Sequence, residues 1–430
     1  MRIDIDTVQN PQQLADQLPG FFRGDLHVST AYTPSLSAAR QQLADFHPKG
    51  YASTRNHVEG NVSRLNPYIT WGVLTLAEVQ DDMKAKTNGG QGKDYQKFVN
   101  ELAWKQYFRE GYMALGGRVY ESLEPYKYPT KGKKNALPDD IENATTGLEC
   151  IDSIVRTLKQ TGYLHNHKRM WFASYLVHFA GVEWWHGEEL FYRYLLDGEP
   201  GPNALSWQWV ASTFSNKPYV FNNDNMKKNG HDPCSRDVPF AASYTDIDRD
   251  YFGGYSRGGY DKRPQEQPYS TGEWPYPGLV RPVGEQPLVV LHAERLSERA
   301  AVLEAAPSDA PVVVYLDAER FEAEQPSFMR LHFAVNLAAD LVRTLREQGR
   351  DAELLFPKTP DALVVYARDK GCRSLATPDS WHPDTWEVLR ELDEQLPVSV
   401  VEDAVFAKTA ASLRSFSSFW KKAEKEVMRR

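Results

Sequence analysis

The chain has 430 residues, 41% of them hydrophobic and 25% charged, with a formal net charge of −8; one domain seldom fills that length and two fill it comfortably. The acidic balance argues against a protein that coats itself in nucleic acid, and the lack of any run of about 18 apolar residues argues against a membrane span or signal peptide and for a cytoplasmic protein. Cys150, Cys234 and Cys372 are too few for a four-thiolate cluster and too scattered to suggest a disulfide framework, so no metal site is expected and a reducing compartment fits best.

Apolar residues recur at three and four through 37–46, 74–83, 95–115, 148–161, 167–185 and 188–196, which predicts helices and an all-α first half. The stretch "DGEPGPN" at 197–203 has the density of turn residues that marks a loop, and "ALSWQWVAS" after it reads as a helix. Between 222 and 282 glycine, proline and tyrosine dominate and periodicity is lost. From 286 onward the runs "PLVVLH", "PVVVYL", "AELLF", "SLAT" and "VSVVE" alternate with helical patterns, which predicts about five parallel strands. The expected fold class is therefore α plus α/β: a helical domain over 1–240, an irregular extension and linker over 241–285, and an α/β domain over 286–430. No glycine follows the first strand in "LVVLHAERLSERAAV", which disfavours a dinucleotide held there in the Rossmann manner.

Four motifs in order, "VSRLNPYITWGVLTLAEV", "FVNELAWKQYFREGY", "TGLECIDSIVRTLKQTGYLHNHKRM" and "LLDGEPGPNALSWQWVAST", resemble the flavin-binding helical domain of the DNA photolyase and cryptochrome family. Members begin with an α/β antenna domain, whereas here the helical part comes first. The closing "FSSFWKKAE" is similar to the segment that ends the family's α/β domain, so the resemblance implies a circular permutation. It also implies FAD bound by the helical part alone, with the antenna chromophore left unspecified.

On that resemblance Tyr51, Ser63, Arg64, Leu65 and Asn66 lie along the pyrophosphate, where hydroxyl, guanidinium and free backbone amides are suitable donors. Ser63 as a plain N-cap and Arg64 as a surface charge are the alternatives. Arg169 and Asp197 match an ion pair beside the isoalloxazine, Gly198, Glu199 and Lys105 join the cofactor set, and Asn203 matches the side chain at flavin N5. Lys105 stands where arginine is usual and lacks its bidentate fork. Glu101 and Trp104, three apart on a helix, match the groups that hydrogen-bond and stack on a flipped pyrimidine dimer; Asn166 and Met170 match enzymes of cyclobutane dimers. A solvated charge at Glu101 and ordinary core at Met170 stay open. His165 and His167 lie beside those positions and are not the histidine pair of (6-4) repair.

Trp207 and Trp184 match the first two members of the family's electron-transfer chain, with core packing the alternative for both. The third member's place falls on Ile141, so the exit has Trp185, Trp171 and Tyr163 as candidates. The resemblance implies light-driven repair of cyclobutane pyrimidine dimers in UV-damaged DNA, single- or double-stranded, by electron transfer from reduced FAD. A lysine loop with Lys127, Lys131, Lys133 and Lys134 is a candidate phosphate contact. The competing reading is a cryptochrome-like photoreceptor that signals to a partner, with 244–260 as its responsive element; a flavoprotein without light function is a third.

Overall fold

The computed structural model describes every residue except 129, 131, 236, 254–276 and 408–414. The second half is built on five parallel strands, β1 (Pro287–His292), β2 (Val312–Tyr315), β3 (Ala352–Leu355), β4 (Ser374–Pro378) and β5 (Val398–Val401), in the order β3-β2-β1-β4-β5. Valine-rich runs suit this sheet because both faces are covered: Val289 pairs with Val312 and Ala376, and β1, β2 and β4 are buried at every position. The order reverses between β1 and β4, and such a switch point leaves a crevice beyond the C-terminal strand ends.

The first half is helical and centred on Lys93–Leu115, against which Tyr51–Thr54, Leu76–Lys86 and Pro200–Ala211 pack. Leu76–Lys86 starts at a capping box, Thr75 accepting from the Glu78 amide while Glu78 accepts from the Thr75 amide. The expected 167–185 helix is broken. Asn166–Ser174 continues as a π turn over Tyr175–Phe179, Gly181 adopts φ +67, and a new helix runs Trp184–Tyr194. The apolar period runs through the break because each piece buries apolar residues of its own, Trp171 and Phe172 before it and Trp184, Leu190 and Phe191 after it. The turn at 197–203 is shorter than expected: the helix starts at Pro200, since proline is tolerated in a first turn whose N–H groups lack partners anyway. A helix over Tyr244–Phe252, capped by Ser243, occupies part of the segment expected to be irregular; most of the remainder lies outside the described residues.

Two further departures concern long-range contacts. Cys150 and Cys234, expected to be unlinked, have Cα atoms 5.1 Å apart and are joined in a disulfide across 84 residues; sequence spacing carries no record of that proximity. The first 18 residues lie on the α/β half. The Phe356 amide donates to the Met1 carbonyl, Arg2 bridges Leu355 on edge strand β3, and Asn336 donates to the Val8 carbonyl. This pairing covers the C-terminal end of the β3 edge. Among the described residues no helix is long and apolar enough to cross a membrane.

Candidate functional site

A cavity of about 400 Å³ opens among the Lys93–Leu115, Asn166–Ser174, Trp184–Tyr194 and Pro200–Ala211 helices. Its lining includes Asn66, Glu101, Trp104, Lys105, Asn166, Arg169, Met170, Asp197, Gly198, Asn203 and Trp207, residues that the sequence brings from four separate stretches. At its base Arg169 Nη2 donates to Asp197 Oδ1 and Oδ2 at 3.0 and 2.9 Å, and Asn66 Nδ2 donates to Oδ2 at 2.5 Å. Only 2% of the Asp197 side chain is exposed. Burial alone would raise its carboxyl, but Arg169, Asn66 and Lys105 outweigh that and hold it below the usual carboxylate range. A charged pair is thus fixed against one end of an apolar hollow.

Asn203 is oriented by a residue that sequence reasoning missed. Its Nδ2 donates to Glu188 Oε1 at 2.8 Å and to the Glu188 carbonyl at 3.0 Å, which commits the nitrogen and leaves Oδ1 as the ligand-facing acceptor. Burial pushes the Glu188 carboxyl up to about 8, against the pull of the Asn203 hydrogen bond. Glu188 is 7% exposed while the next residue, Glu189, keeps 63% of its side chain in solvent. The sequence "HGEELF" offers no means of telling them apart except helical phase.

Glu101 accepts from Arg55 Nε at 3.2 Å and pairs with Lys97 Nζ at 2.7 Å, so it is not merely a solvated charge. Asn166 Nδ2 lies 3.5 Å from Met170 Sδ across the same wall. Trp209 and Phe108 also line this cavity and were not anticipated; "WQW" drew attention to its first indole alone. His165 and His167 are not among the walls: His165 caps its helix by accepting from the His167 amide and contacts the Arg55 carbonyl.

Other expected site residues lie outside this lining. Tyr51 is 9% exposed and packs its ring on Phe46 and Phe98. Arg64, at φ +54, places its guanidinium 5.1 Å above the Tyr163 ring, near the Arg169–Asp197 pair; Ser63 Oγ meets the Leu65 amide at 3.5 Å. Non-glycine residues rarely adopt this backbone, which Arg64 shares with Asn88, Ala144, Ser212, Gln286 and Gln325. Glu199 is fully engaged elsewhere, by Arg109 Nε at 2.5 Å and Lys105 Nζ at 2.6 Å, and faces a second cavity. Burial lowers the Lys105 ammonium despite the opposing pull of Glu199. In the lysine loop, Lys127 pairs with Glu124 and Lys133 donates to the Val177 carbonyl over the Tyr126 and Tyr128 rings, which leaves both as packing groups; Lys131 lies outside the described residues.

Trp207 is 2% exposed, 4.9 Å from the Phe191 ring. Trp184 is fully buried, donates Nε1 to Ser122 Oγ at 2.9 Å, and meets Trp185 edge-to-face at 5.9 Å. Of the exit candidates, Trp171 stacks on His231 and donates to Asn225, and Tyr163 lies by Arg64. Trp185 alone of the three has its ring against Trp184. Ile141 is core at 3% exposure.

The second cavity, about 460 Å³, lies beyond the C-terminal ends of β1, β2 and β4 and is closed by Tyr112, Tyr120 and Tyr192 of the helical half. His292 Nδ1 and the Tyr315 hydroxyl are buried in its walls with no hydrogen-bond partner. Gly198 lines both cavities.

Residues 98–236 match the family described as the FAD binding domain of DNA photolyase. The chain is similar to a deoxyribodipyrimidine photo-lyase of Streptomyces griseus, 32% identical over 154 residues, covering 35% of this chain and 32% of that one. It is 25% identical over 303 residues to a deoxyribodipyrimidine photo-lyase of Halobacterium salinarum, covering 67% and 59%. A solved cryptochrome of Synechocystis sp. aligns with a TM-score of 0.43 at 22% identity over 48% of this chain and 46% of that one. Between 32% and 59% of the length of these two curated relatives is thus spanned. The likeness to the FAD binding domain of DNA photolyase thus falls within the helical half, over residues 98–236.

Proposed function

We propose that this protein binds FAD in the 400 Å³ cavity and uses it to repair cyclobutane pyrimidine dimers in DNA under blue light. The observation that carries the reading is the convergence on one cavity of the Arg169–Asp197 pair, the oriented Asn203 amide and the Glu101, Trp104, Asn166 and Met170 group. A reduced flavin, once bound, would supply the light-excited electron that splits the cyclobutane ring. Arg169 stabilises negative charge at one ring edge, and Asp197 keeps that guanidinium in place and charge-balanced. Asn203 presents Oδ1 to a protonated ring nitrogen. Glu101 accepts from or donates to the dimer's base edge while Trp104 and Trp209 wall the apolar slot, and Arg55 and Lys97 keep Glu101 oriented. Arg64, with Ser63, Leu65, Asn66 and Tyr51 behind it, takes the phosphate side. Trp207, Trp184 and Trp185 form the path by which oxidised flavin is reduced.

The second cavity is the place for an antenna chromophore, since it has unpartnered polar atoms, tyrosine walls and a boundary at Gly198 shared with the first. Circular permutation is part of the same reading. It accounts for a helical domain over 1–240 ahead of an α/β domain over 286–430, and for relatives matched over only part of their length. Ile141 favours one alternative, a cryptochrome-like photoreceptor, because the path to the surface lacks its usual end.

The test is illumination of the chemically prereduced protein with single- and double-stranded oligonucleotides carrying one thymine dimer, followed by chromatographic measurement of restored thymine. Repair in light and none in darkness is expected. No restored thymine on either substrate, together with photoreduction of the flavin in a separate oxidised sample, would instead select the photoreceptor reading.

A further inference from the structure

The Trp104 indole has two faces, and one is already taken. Phe416, the first residue of helix Phe416–Val427 near the far end of the chain, stacks on it with ring centroids 3.7 Å apart and planes within 10°. Trp420, one turn on, lies parallel to Phe416 at 6.3 Å and 10°, so three rings form a ladder. Tyr107 and Phe108 brace the indole from the side at 5.9 and 5.5 Å. Trp104 lines the 400 Å³ cavity and Phe416 does not, so the stack covers the back of the indole and the opposite face is the one presented to the cavity.

The helix that carries Phe416 is firmly seated. Phe419 is fully buried against Tyr107, Gln80 donates to the Val427 carbonyl at 2.6 Å, Lys84 donates to the Arg430 carbonyl at 2.6 Å, and Arg430 pairs with Asp81. A part-exposed tryptophan without such a backing ring samples several rotamers, and the order needed to stack on a base would have to be supplied at binding. The stack is thus worth more than its own dispersion, because it removes that ordering step.

We propose that Phe416 is a positioning residue for the base-stacking face of Trp104, so that the terminal helix of the α/β half preorganises the substrate slot of the helical half. This rests on the dimer-repair reading for the meaning of the slot, but not for the geometry. Phe416→Leu removes the ring and keeps an apolar side chain; Phe416→Tyr restores a ring.

Two measurements on the FAD-loaded full chain decide it. In protein labelled with 5-fluorotryptophan, the Trp104 resonance, assigned by its loss in Trp104→Phe, is narrow in wild type, shifts and broadens in F416L, and returns in F416Y. A Trp104 resonance unchanged in F416L overturns the proposal whether or not the protein repairs DNA. With dimer-containing oligonucleotides, F416L raises the dissociation constant by roughly 5-fold, a fraction of what a base-aromatic stack is worth, leaves the yield of repair per bound dimer unchanged, and is rescued by F416Y. Unchanged or tighter binding in F416L means that Phe416 does not prepare the slot or blocks it, and overturns the proposal. A wild type that binds no dimer-containing DNA removes the repair reading instead, and the fluorine signal still decides the role of Phe416.

Discussion

At Asn203 a buried carboxyl engages the amide nitrogen and leaves Oδ1 towards the 400 Å³ cavity, and this gives Glu188 a measurable signature. Its carboxyl is raised from 4.5 to about 8 by burial. Between those values the folded chain holds a proton that the unfolded chain has lost, so stability falls as pH rises through that window, by up to about 1.4 kcal/mol per pH unit. Glu110, also buried and also raised to about 8, adds the same dependence. Glu188→Gln should therefore lose less stability than wild type between pH 5 and pH 8, read as the shift in urea midpoint; equal shifts would show that Glu188 is not held protonated. Trp207→Phe keeps most of the packing but raises the energy needed to remove an electron. Photoreduction of the oxidised flavin with an external thiol should collapse, while prereduced protein should still repair; equal photoreduction rates would remove Trp207 from the path. That Asp197, Arg169, Asn203 and Trp207 come together on one cavity was readable because they sit in contiguous motifs. Glu188 was not, since it lies 15 residues from Asn203 on another helix beside a solvated glutamate of the same type.

The helices that frame the cavity meet through small residues. A Cβ at Gly187 would lie 2.2 Å from Trp207 Cη2 and 2.5 Å from Leu176 Cδ2, so the Trp184–Tyr194 helix approaches Pro200–Ala211 closely only because that side chain is missing. Gly187→Ala should cost about 1–3 kcal/mol through overpacking and move Trp207, which a lowered melting temperature together with slower flavin photoreduction would report. An unchanged melting temperature would mean that the two helices can part without loss. At this scale the strands were the most legible elements, because a two-sided buried sheet needs β-branched runs and little else in the sequence produces them. The break at Gly181 was not legible: apolar residues keep their spacing through Tyr175–Phe179, and a single glycine inside a helical pattern is usually tolerated.

For the whole molecule, the walls of the 400 Å³ cavity all come from the helical half, but the loop carrying Asp197 is also held by the other half. Arg330, 3% exposed, donates Nη1 to the Leu195 carbonyl at 2.6 Å and Nη2 to the Gly198 carbonyl at 2.7 Å, with its guanidinium 4.4 Å above the Tyr192 ring. Such docking was invisible in the sequence because it joins positions about 130 residues apart through backbone acceptors, which every residue possesses. The central claim is that the helical half holds FAD against the Arg169–Asp197 pair. Replacing Asp197 by Asn leaves Arg169 without its countercharge, at a cost of about 3 kcal/mol or less, because 24% of the Arg169 side chain remains exposed. The most direct measurement is the amount of FAD released per chain on denaturing wild type and D197N after reconstitution with excess cofactor, with circular dichroism confirming that both are folded. About one FAD per wild-type chain and a clear loss in folded D197N are expected. A folded wild type that retains no FAD, or a D197N variant that retains as much as wild type, would contradict the account.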